Sequence, residues 1–394
     1  MYLSRIFNFK AYRIGDFKFS IFITAILLNL IGLRLIWILQ DPADNLYGKQ
    51  LMGIIIGAFS ALVISFIDYH VVAKLYIPLY LINLAVLFVV RFTSLGHAHY
   101  DAKRWIEIHG IGQVQPSEFS KLIIIIFIAA MLDYYKKYID RLWFLVLLCL
   151  LSLAPVVLIL VEPDLSTAIV VGLTFVFMVY ASGISYKIVL PVIIVTIPLV
   201  IVLWWYYVLQ PGDKLFIEAY QIERIQAFLH PDDPQYADLI WQQKNAGIAI
   251  ARGGLTGKLL DSSLSKDSLY CSILPAIESD FIFTAVAETF GFIGSLVTLL
   301  LIFFIVVKGI IIAKKAYDFL GMLIALGISL IIGLQTIVNV CVSTELMPNT
   351  GIPFPFLSSG LSSLIGNMFM IGVLLNVGLQ AGRPKEGKRE SFVI

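Results

Sequence analysis

The sequence carries little charge for its length. Only 14% of its 394 residues are Asp, Glu, Lys or Arg, whereas soluble proteins average about 25%. The 28 basic and 26 acidic residues nearly cancel and leave a formal charge of +2. A nucleic-acid binder would need a clear basic excess, so no nucleic-acid partner is expected.

Cysteine is scarce and odd in number. The three residues, Cys149, Cys271 and Cys341, exclude a disulfide framework and show no metal-ligand spacing. The basic residues that precede the first apolar run are followed by no cleavage-site pattern, so we predict no removable signal peptide.

Apolar residues, by contrast, are abundant. They make up 59% of the chain, and the mean hydropathy is +0.92, which indicates lipid as the solvent. A membrane-spanning helix needs about 20 mostly apolar residues. Ten runs approach or reach this length: residues 19–39, 51–67, 75–92, 119–132, 142–161, 167–181, 188–208, 282–307, 320–342 and 361–377. The sequence therefore predicts an all-α polytopic membrane protein with ten transmembrane helices.

Lysine and arginine predict the orientation of these helices. Short loops rich in Lys and Arg stay on the cytoplasmic side, and most basic residues fall in the two termini and in alternate loops. Both termini are therefore expected to be cytoplasmic. Residues 93–117, 209–281 and 343–360 become extracellular loops, the largest of them between helices 7 and 8. We treat residues 1–394 as a single membrane domain.

Ionisable side chains collect near the outer ends of the predicted helices. Charged groups inside a bilayer are costly and are functional candidates by default. Six meet this description in the topology above, namely Glu118, Lys121, Glu162, Asp164, Asp280 and Glu288. Together they predict a polar cavity that opens outward.

Each of these residues also has a purely structural interpretation. Glu118 suits the start of a helix, and Lys121, one turn later, could simply pair with it. Asp164 and Asp280 could cap the helices that follow them. Glu288 lies about two turns into its helix, where no cap needs it, and it could pair with a cation from another helix.

Several segments together resemble one family. In order along the chain they are Ala102-Lys103-Arg104-Trp105, Gln115-Pro116-Ser117-Glu118-Phe119-Ser120-Lys121, Glu162-Pro163-Asp164-Leu165, Ser279-Asp280-Phe281-Ile282-Phe283 with Glu288, and Thr350-Gly351-Ile352-Pro353. This series is similar to the signatures of the SEDS proteins (shape, elongation, division and sporulation) of the RodA and FtsW type. The resemblance extends over nearly the whole chain.

The resemblance implies an activity. Such proteins polymerise lipid II into glycan strands on the outer face of the bacterial cytoplasmic membrane, for elongation, shape or division. The GlcNAc 4-hydroxyl of one saccharide attacks the MurNAc anomeric carbon of another. Undecaprenyl pyrophosphate leaves, and the configuration is inverted. The implied partners are lipid II, the growing glycan strand, membrane lipid and a class B penicillin-binding protein that acts as the transpeptidase.

The resemblance also implies roles for the polar residues. Asp280 is the expected general base, and the expected substrate-binding residues are Lys103, Arg104, Trp105, Glu118, Lys121, Asp164 and Glu288. Developing pyrophosphate charge can be neutralised by basic side chains or by a divalent cation. Mg²⁺ or Mn²⁺ is therefore a possible cofactor, with Glu118, Asp164 and Asp280 as candidate ligands.

The chain departs from the family pattern at a few positions. Ala276 replaces a glutamate, and Ser359 and Leu361 replace a tyrosine and a glycine of the last outer loop. Two other functions stay open at this point. A flippase for lipid-linked saccharides would spread polar residues along a whole transmembrane path, and a non-catalytic scaffold would only recruit the penicillin-binding protein.

Overall fold

The computed structural model describes residues 12, 14–40, 45–99, 102–108, 112–188, 219–259 and 265–381, with a few isolated positions between 190 and 206. Most of these residues are helical. Eight described helices lie between residues 19 and 229: α1 Phe19–Leu39, α2 Leu46–Ser65, α3 Tyr69–Lys74, α4 Tyr76–Phe92, α5 Pro116–Tyr134, α6 Leu142–Val161, α7 Leu165–Ala181 and α8 Ala219–Leu229. Four follow: α9 Ala237–Gly253, α10 Ile282–Lys315, α11 Phe319–Ser343 and α12 Leu361–Gln380.

The predicted spans agree with these helices to within five residues, except that α10 continues to Lys315, eight residues beyond the predicted end. Among the described residues, six helices are long and apolar enough to cross a membrane, namely α1, α2, α6, α10, α11 and α12, while α4 and α7 are shorter apolar helices. The predicted seventh span, residues 188–208, lies largely outside the described residues. The chain is thus a mostly helical, multi-pass membrane protein.

Helix α12 occupies the centre of the bundle. In its most apolar window 83% of the residues are buried, compared with 33% for α2, α6 and α10. It packs along α2 and also contacts α5, α10 and α11. The large apolar side chains that α6 and α10 expose, such as Leu150 and Phe303, then face lipid, where their exposure carries no hydrophobic cost.

The first outer loop contains a small sheet that the sequence did not predict. Strands β1 (Gly96–His99), β2 (Ala102–Ile108) and β3 (Gly112–Val114) pair antiparallel in the order β1-β2-β3. The strands are short, and charged residues interrupt their apolar alternation, so the pattern that indicates a strand is weak here. The sheet holds β2, which carries Lys103, Arg104 and Trp105, between two neighbours.

A partly buried ion cluster holds together the end of the bundle away from the sheet. His70 Nδ1 lies 2.7 Å from Asp68 Oδ1, and His70 Nε2 lies 2.6 Å from Asp318 Oδ2. Tyr69 Oη donates to Asp318 at 2.7 Å, and Gln380 Nε2 donates to Asp68 at 3.0 Å. Because both ring nitrogens face carboxylates, both carry hydrogen, and the imidazole is a cation.

This geometry moves the pKa of His70. Burial alone would lower it, but the hydrogen bonds to Asp318 and Asp68 outweigh burial and raise the pKa of His70 from 6.5 to about 9. For Asp68, burial is likewise outweighed by the His70 contact, and its pKa falls to about 2. The cluster ties the α2–α3 and α10–α11 connections to the end of α12.

We expect this cluster to make stability depend on pH. A group with a raised folded-state pKa stabilises fully below its unfolded value, so the contribution of His70 is complete below pH 6.5 and is lost as pH rises through about 9. The shift corresponds to about 3 kcal/mol. Thermal unfolding in detergent should show a melting temperature that falls over this range. In His70→Gln the melting temperature should be lower near pH 6.5 and vary little with pH.

His230→Gln is the matched control, because His230 is exposed on the outer loop. It should reproduce the wild-type pH dependence. A His70→Gln protein with an unchanged pH profile would show that the two carboxylates do not keep the imidazole protonated.

Candidate active site

Glu118 and Lys121 form a buried ion pair at the start of α5. Their side chains are 2% and 1% exposed, and Lys121 Nζ lies 2.7 Å from Glu118 Oε2. The same ammonium donates to Gln335 Oε1 of α11 at 3.0 Å. Glu118 Oε1 is buried without a hydrogen-bond partner among the described residues. Since a buried charge is tolerated only when it is paired, the pair is what allows α5 and α11 to keep a lysine between them.

Asp164 joins the start of α7 to the start of α5. One carboxylate oxygen accepts from the Thr167 backbone N–H at 3.1 Å, which makes Asp164 the N-cap of α7. The other accepts from Gln115 Nε2 at 3.1 Å and from Ser117 Oγ at 3.4 Å. The predicted capping role is confirmed, and Asp164 also ties two helix starts together beside the Glu118–Lys121 pair.

Asp280 lies in the turn that precedes α10 and is half-buried. Its backbone carbonyl accepts from Asn339 Nδ2 of α11 at 2.8 Å, and the same amide donates to the Ile352 carbonyl at 2.7 Å. A Cβ atom at Gly351, whose φ is +66°, would stand 3.1 Å from Asp280 Oδ2. Glycine at 351 therefore lets the last outer loop approach the carboxylate while leaving it room.

The electrostatic surroundings of Asp280 make it a stronger base. Removal from water raises the pKa of Asp280, the charges of Arg104 and Arg224 oppose this, and the carboxylates of Asp164 and Glu278 add to it. The net result is a pKa above the ordinary value of 3.8. Two arginines from separate outer segments, β2 and α8, thus act on the same carboxylate.

Glu162 is a neutral acid in the turn between α6 and α7. It is fully buried, and neither carboxyl oxygen has a hydrogen-bond partner in the part of the chain that the structure describes. Burial and the nearby Asp164 raise the pKa of Glu162 to about 9, against the opposing charges of Arg104 and Arg91. At neutral pH this group therefore holds a proton.

The three residues of β2 are placed differently from one another. Lys103 Nζ donates to the Thr93 carbonyl at 2.5 Å, so this ammonium anchors the sheet to the end of α4. Arg104 has a buried Nε without a hydrogen-bond partner among the described residues, and its charge acts on both Asp280 and Glu162. Trp105 is half-buried and pairs with His97 across β1 and β2.

Glu288 is separate from this group. It is fully buried within α10, and its carboxylate binds Lys258 Nζ and the backbone N–H groups of Tyr270 at 2.9 Å and Cys271 at 2.7 Å. All of these partners belong to the large outer loop. The prediction that Glu288 pairs with a cation is confirmed, but Lys258 lies in the segment that follows α9 and not in another helix. The cation on a neighbouring helix, Arg252 of α9, is farther away, with its Nε 3.9 Å from Glu288 Oε1.

The candidate metal ligands do not come together as a metal site. Within the described ranges, no group of three His, Cys, Asp or Glu side chains is arranged to hold a metal ion. Both oxygens of Asp164 accept hydrogen bonds, and Glu118 already faces the Lys121 ammonium. These donors do not fit a shared Mg²⁺ or Mn²⁺, so we derive no step through one.

Sequence reasoning missed the amides that organise the site. Gln335 and Asn339, both fully buried in α11, contact Lys121 and the Asp280 carbonyl. Gln335 Nε2 also donates to the Pro353 carbonyl at 2.8 Å. The available signal was their spacing: two amides four residues apart in an otherwise apolar span share one helix face, and buried polar groups need partners.

Comparisons with known proteins identify one family. Residues 12–382 match the FtsW/RodA/SpoVE family of cell cycle proteins. The chain is 30% identical to the probable peptidoglycan glycosyltransferase FtsW of Trichlorobacter lovleyi, over 96% of this chain and 98% of the relative. It is 29% identical to the peptidoglycan glycosyltransferase MrdB of Escherichia coli, over 76% of each chain.

Solved structures share the fold. The chain resembles, with a TM-score of 0.78 and 25% identity over 93% of this chain and 99% of the other, a protein from a study of the structural coordination of polymerization and crosslinking by a peptidoglycan synthase complex. The Thermus thermophilus rod shape determining protein RodA matches with a TM-score of 0.67 and 23% identity, over 96% of this chain and 100% of RodA. The chain therefore belongs to the SEDS family of FtsW, RodA and SpoVE proteins.

Proposed function

We infer that the chain is a peptidoglycan glycosyltransferase, and we propose that it polymerises lipid II on the outer face of the bacterial cytoplasmic membrane. The observation that carries this inference is the similarity, over at least four fifths of each chain, to relatives named as probable peptidoglycan glycosyltransferases. The site adds support, because a half-buried carboxylate with raised basicity lies under the influence of two arginines.

In the proposed reaction Asp280 is the general base. Its carboxylate takes the proton of the acceptor GlcNAc 4-hydroxyl, whose oxygen forms a bond to the MurNAc anomeric carbon. The bond from that carbon to the phosphate oxygen breaks, and undecaprenyl pyrophosphate leaves with the electron pair. Attack from the opposite face inverts the configuration, as a single displacement with one general base requires.

The basic side chains suit the departing pyrophosphate. Arg104 has a buried N–H that no described group accepts, and positive charge near a leaving phosphate stabilises the transition state. Lys121 is held by Glu118 and Gln335. We propose that its ammonium group is a fixed positive charge at the bottom of the site. We propose that Asp164 positions the start of α5, and that Trp105 packs against the saccharide or its lipid.

Asp280→Asn tests the assignment of the base. Asparagine retains the shape of aspartate but cannot accept the proton. No helix cap is lost, because the predicted capping by Asp280 is wrong: the N-cap of α10 is Phe281, and no side chain caps it. We expect a folded protein whose rate of glycan-strand formation from lipid II falls about 10²-fold or more. In the wild type, the raised pKa of Asp280 should place the acidic limb of the rate profile above pH 3.8.

Glu162→Gln is the matched control for this substitution. It is also a carboxyl-to-amide change in the same outer region, but at a group that already holds a proton at pH 7. Its rate should stay close to wild type. A well-folded Asp280→Asn protein that forms strands at the wild-type rate would eliminate Asp280 as the base.

We propose the ten-helix topology with both termini in the cytoplasm and with residues 93–117, 209–281 and 343–360 outside. The described helices agree in position with nine of the proposed spans. The concentration of polar groups near Asp280, opposite the His70 cluster, supports one polar end that faces outward.

Cysteine labelling tests this orientation. In a background in which the three native cysteines are replaced by serine, Gln235→Cys places an exposed thiol on the proposed outer loop, and Lys137→Cys places one between α5 and α6. An impermeant maleimide should label the first in intact cells and the second only after lysis. The reverse pattern would place Asp280 on the wrong side for lipid II polymerisation.

We also propose a class B penicillin-binding protein as partner. The support is the similarity to a protein studied as part of a peptidoglycan synthase complex that coordinates polymerization with crosslinking. Purification of the tagged chain from its native membrane in mild detergent should recover a single-pass transpeptidase. Full polymerase activity of the isolated chain, with no transpeptidase recovered, would contradict the proposed partnership.

A further inference from the structure

Helix α10 is broken near its outer end. Gly291 has φ +68° and ψ −168° within the stretch Ile282–Lys315, which no helical residue adopts. A break of this kind removes the i to i−4 hydrogen bonds that cross it, and unpaired backbone groups are expensive inside a membrane. The outer segment, residues 282–290, is the part that directly follows Asp280.

The large outer loop supplies the missing hydrogen bonds. The N–H groups of Phe292 and Ile293 donate to the carbonyls of Gly254 at 2.9 Å and Leu255 at 3.1 Å. In return the Lys258 N–H donates to the Thr289 carbonyl at 2.9 Å. Residues 254–258 thus complete the broken helix, and the segment is part of the bundle rather than a free loop.

Glycine makes this contact possible. A Cβ atom at Gly253 would overlap the Ala287 carbonyl, and one at Gly257 would overlap the Thr289 carbonyl and the Gly291 nitrogen. Gly257 also has φ +70°, which favours glycine. Gly253 and Gly257 are therefore explained by backbone packing against α10, and Gly254 by its φ of +54°.

Glu288 locks the loop from the side. Its carboxylate accepts from Lys258, Tyr270 and Cys271, and Arg252 Nε lies 3.9 Å away. Lys258 ends the inserted segment, Arg252 precedes it, and Tyr270 and Cys271 follow it along the chain. Because Glu288 is fully buried, its charge can be kept only while these donors stay in place.

The same loop reaches Asp280 by a second route. Gln243 of α9 donates to the Met347 carbonyl at 2.8 Å, and Asn349 donates to Gln242 of α9 at 2.8 Å. Residues 347–349 lead directly to Gly351, which faces the Asp280 carboxylate. The outer loop therefore contacts both α10, which follows Asp280 in the chain, and the segment of residues 347–351, which faces the Asp280 carboxylate.

We propose that Glu288 is a positioning residue, which sets the place of Asp280 by locking the outer loop into the break of α10, and not a substrate contact. This inference rests on the proposed function for its kinetic consequence only. A displacement of about 1 Å at a reacting group can cost about 10²-fold in rate, so a loosened lock should lower kcat without weakening substrate binding.

Three variants of the full-length protein test this in lipid II polymerisation. Glu288→Gln and Lys258→Met should each lower kcat about 10- to 100-fold, with KM for lipid II within about 2-fold of wild type, as expected when only transition-state interactions are lost. The double variant should be no worse than either single one, because coupled partners are non-additive. Lys244→Met is the control, since the Lys244 ammonium donates to the Pro231 carbonyl of its own loop, and it should leave both constants unchanged.

Hydrogen exchange provides a readout that does not depend on activity. The Phe292 and Ile293 amides should exchange faster in Glu288→Gln and Lys258→Met than in wild type, because loss of the lock lets the loop open. Higher KM with unchanged kcat in Glu288→Gln, a silent Lys258→Met, or unchanged exchange would each overturn the proposal. If the wild type makes no strands, the proposed function fails, whereas the exchange rates still decide whether Glu288 locks the loop.

Discussion

A charged side chain buried in an apolar helical bundle must be neutralised by a group that it contacts or by its own protonation. This constraint organises the half of the protein that contains Asp280. Lys121 has Glu118, and Glu288 has Lys258 together with two backbone donors. Glu162 lacks a hydrogen-bond partner among the described residues and instead stays protonated. Lys121 also donates to Gln335 of α11, and Glu288 joins α10 to the outer loop, so two of these neutralised charges also fix contacts between distant segments.

Asp280 differs from these residues because it keeps partial access to solvent and is not consumed by an ion pair at hydrogen-bond distance among the described residues. Asn339 fixes the backbone carbonyl of Asp280, and Gly351 lies beside its carboxylate. The carboxylate itself remains available to accept a proton. A rigid backbone around an available carboxylate of raised basicity is what general-base catalysis requires. The same fixation makes the reaction dependent on elements far along the chain.

The sequence predicted the helices well because a helix that crosses lipid needs a long apolar run. Helices α1 and α6, for example, begin and end where the hydropathy changes. The capping role of Asp164 followed from local chemistry. The three-stranded sheet, the use of Gln335 and Asn339, and the pairing of Glu288 with Lys258 depend on contacts between distant segments. Local patterns do not encode which segments meet, so these features required the structure.

We propose that this chain forms glycosidic bonds at the outer face of the membrane. The most direct measurement reconstitutes the full-length chain with its transpeptidase in vesicles that carry labelled lipid II, and follows both strand length and the transbilayer distribution of the label. The account predicts strands that lengthen with time and are lost in Asp280→Asn. Lipid II that crosses the bilayer but remains monomeric would contradict it and would favour a flippase.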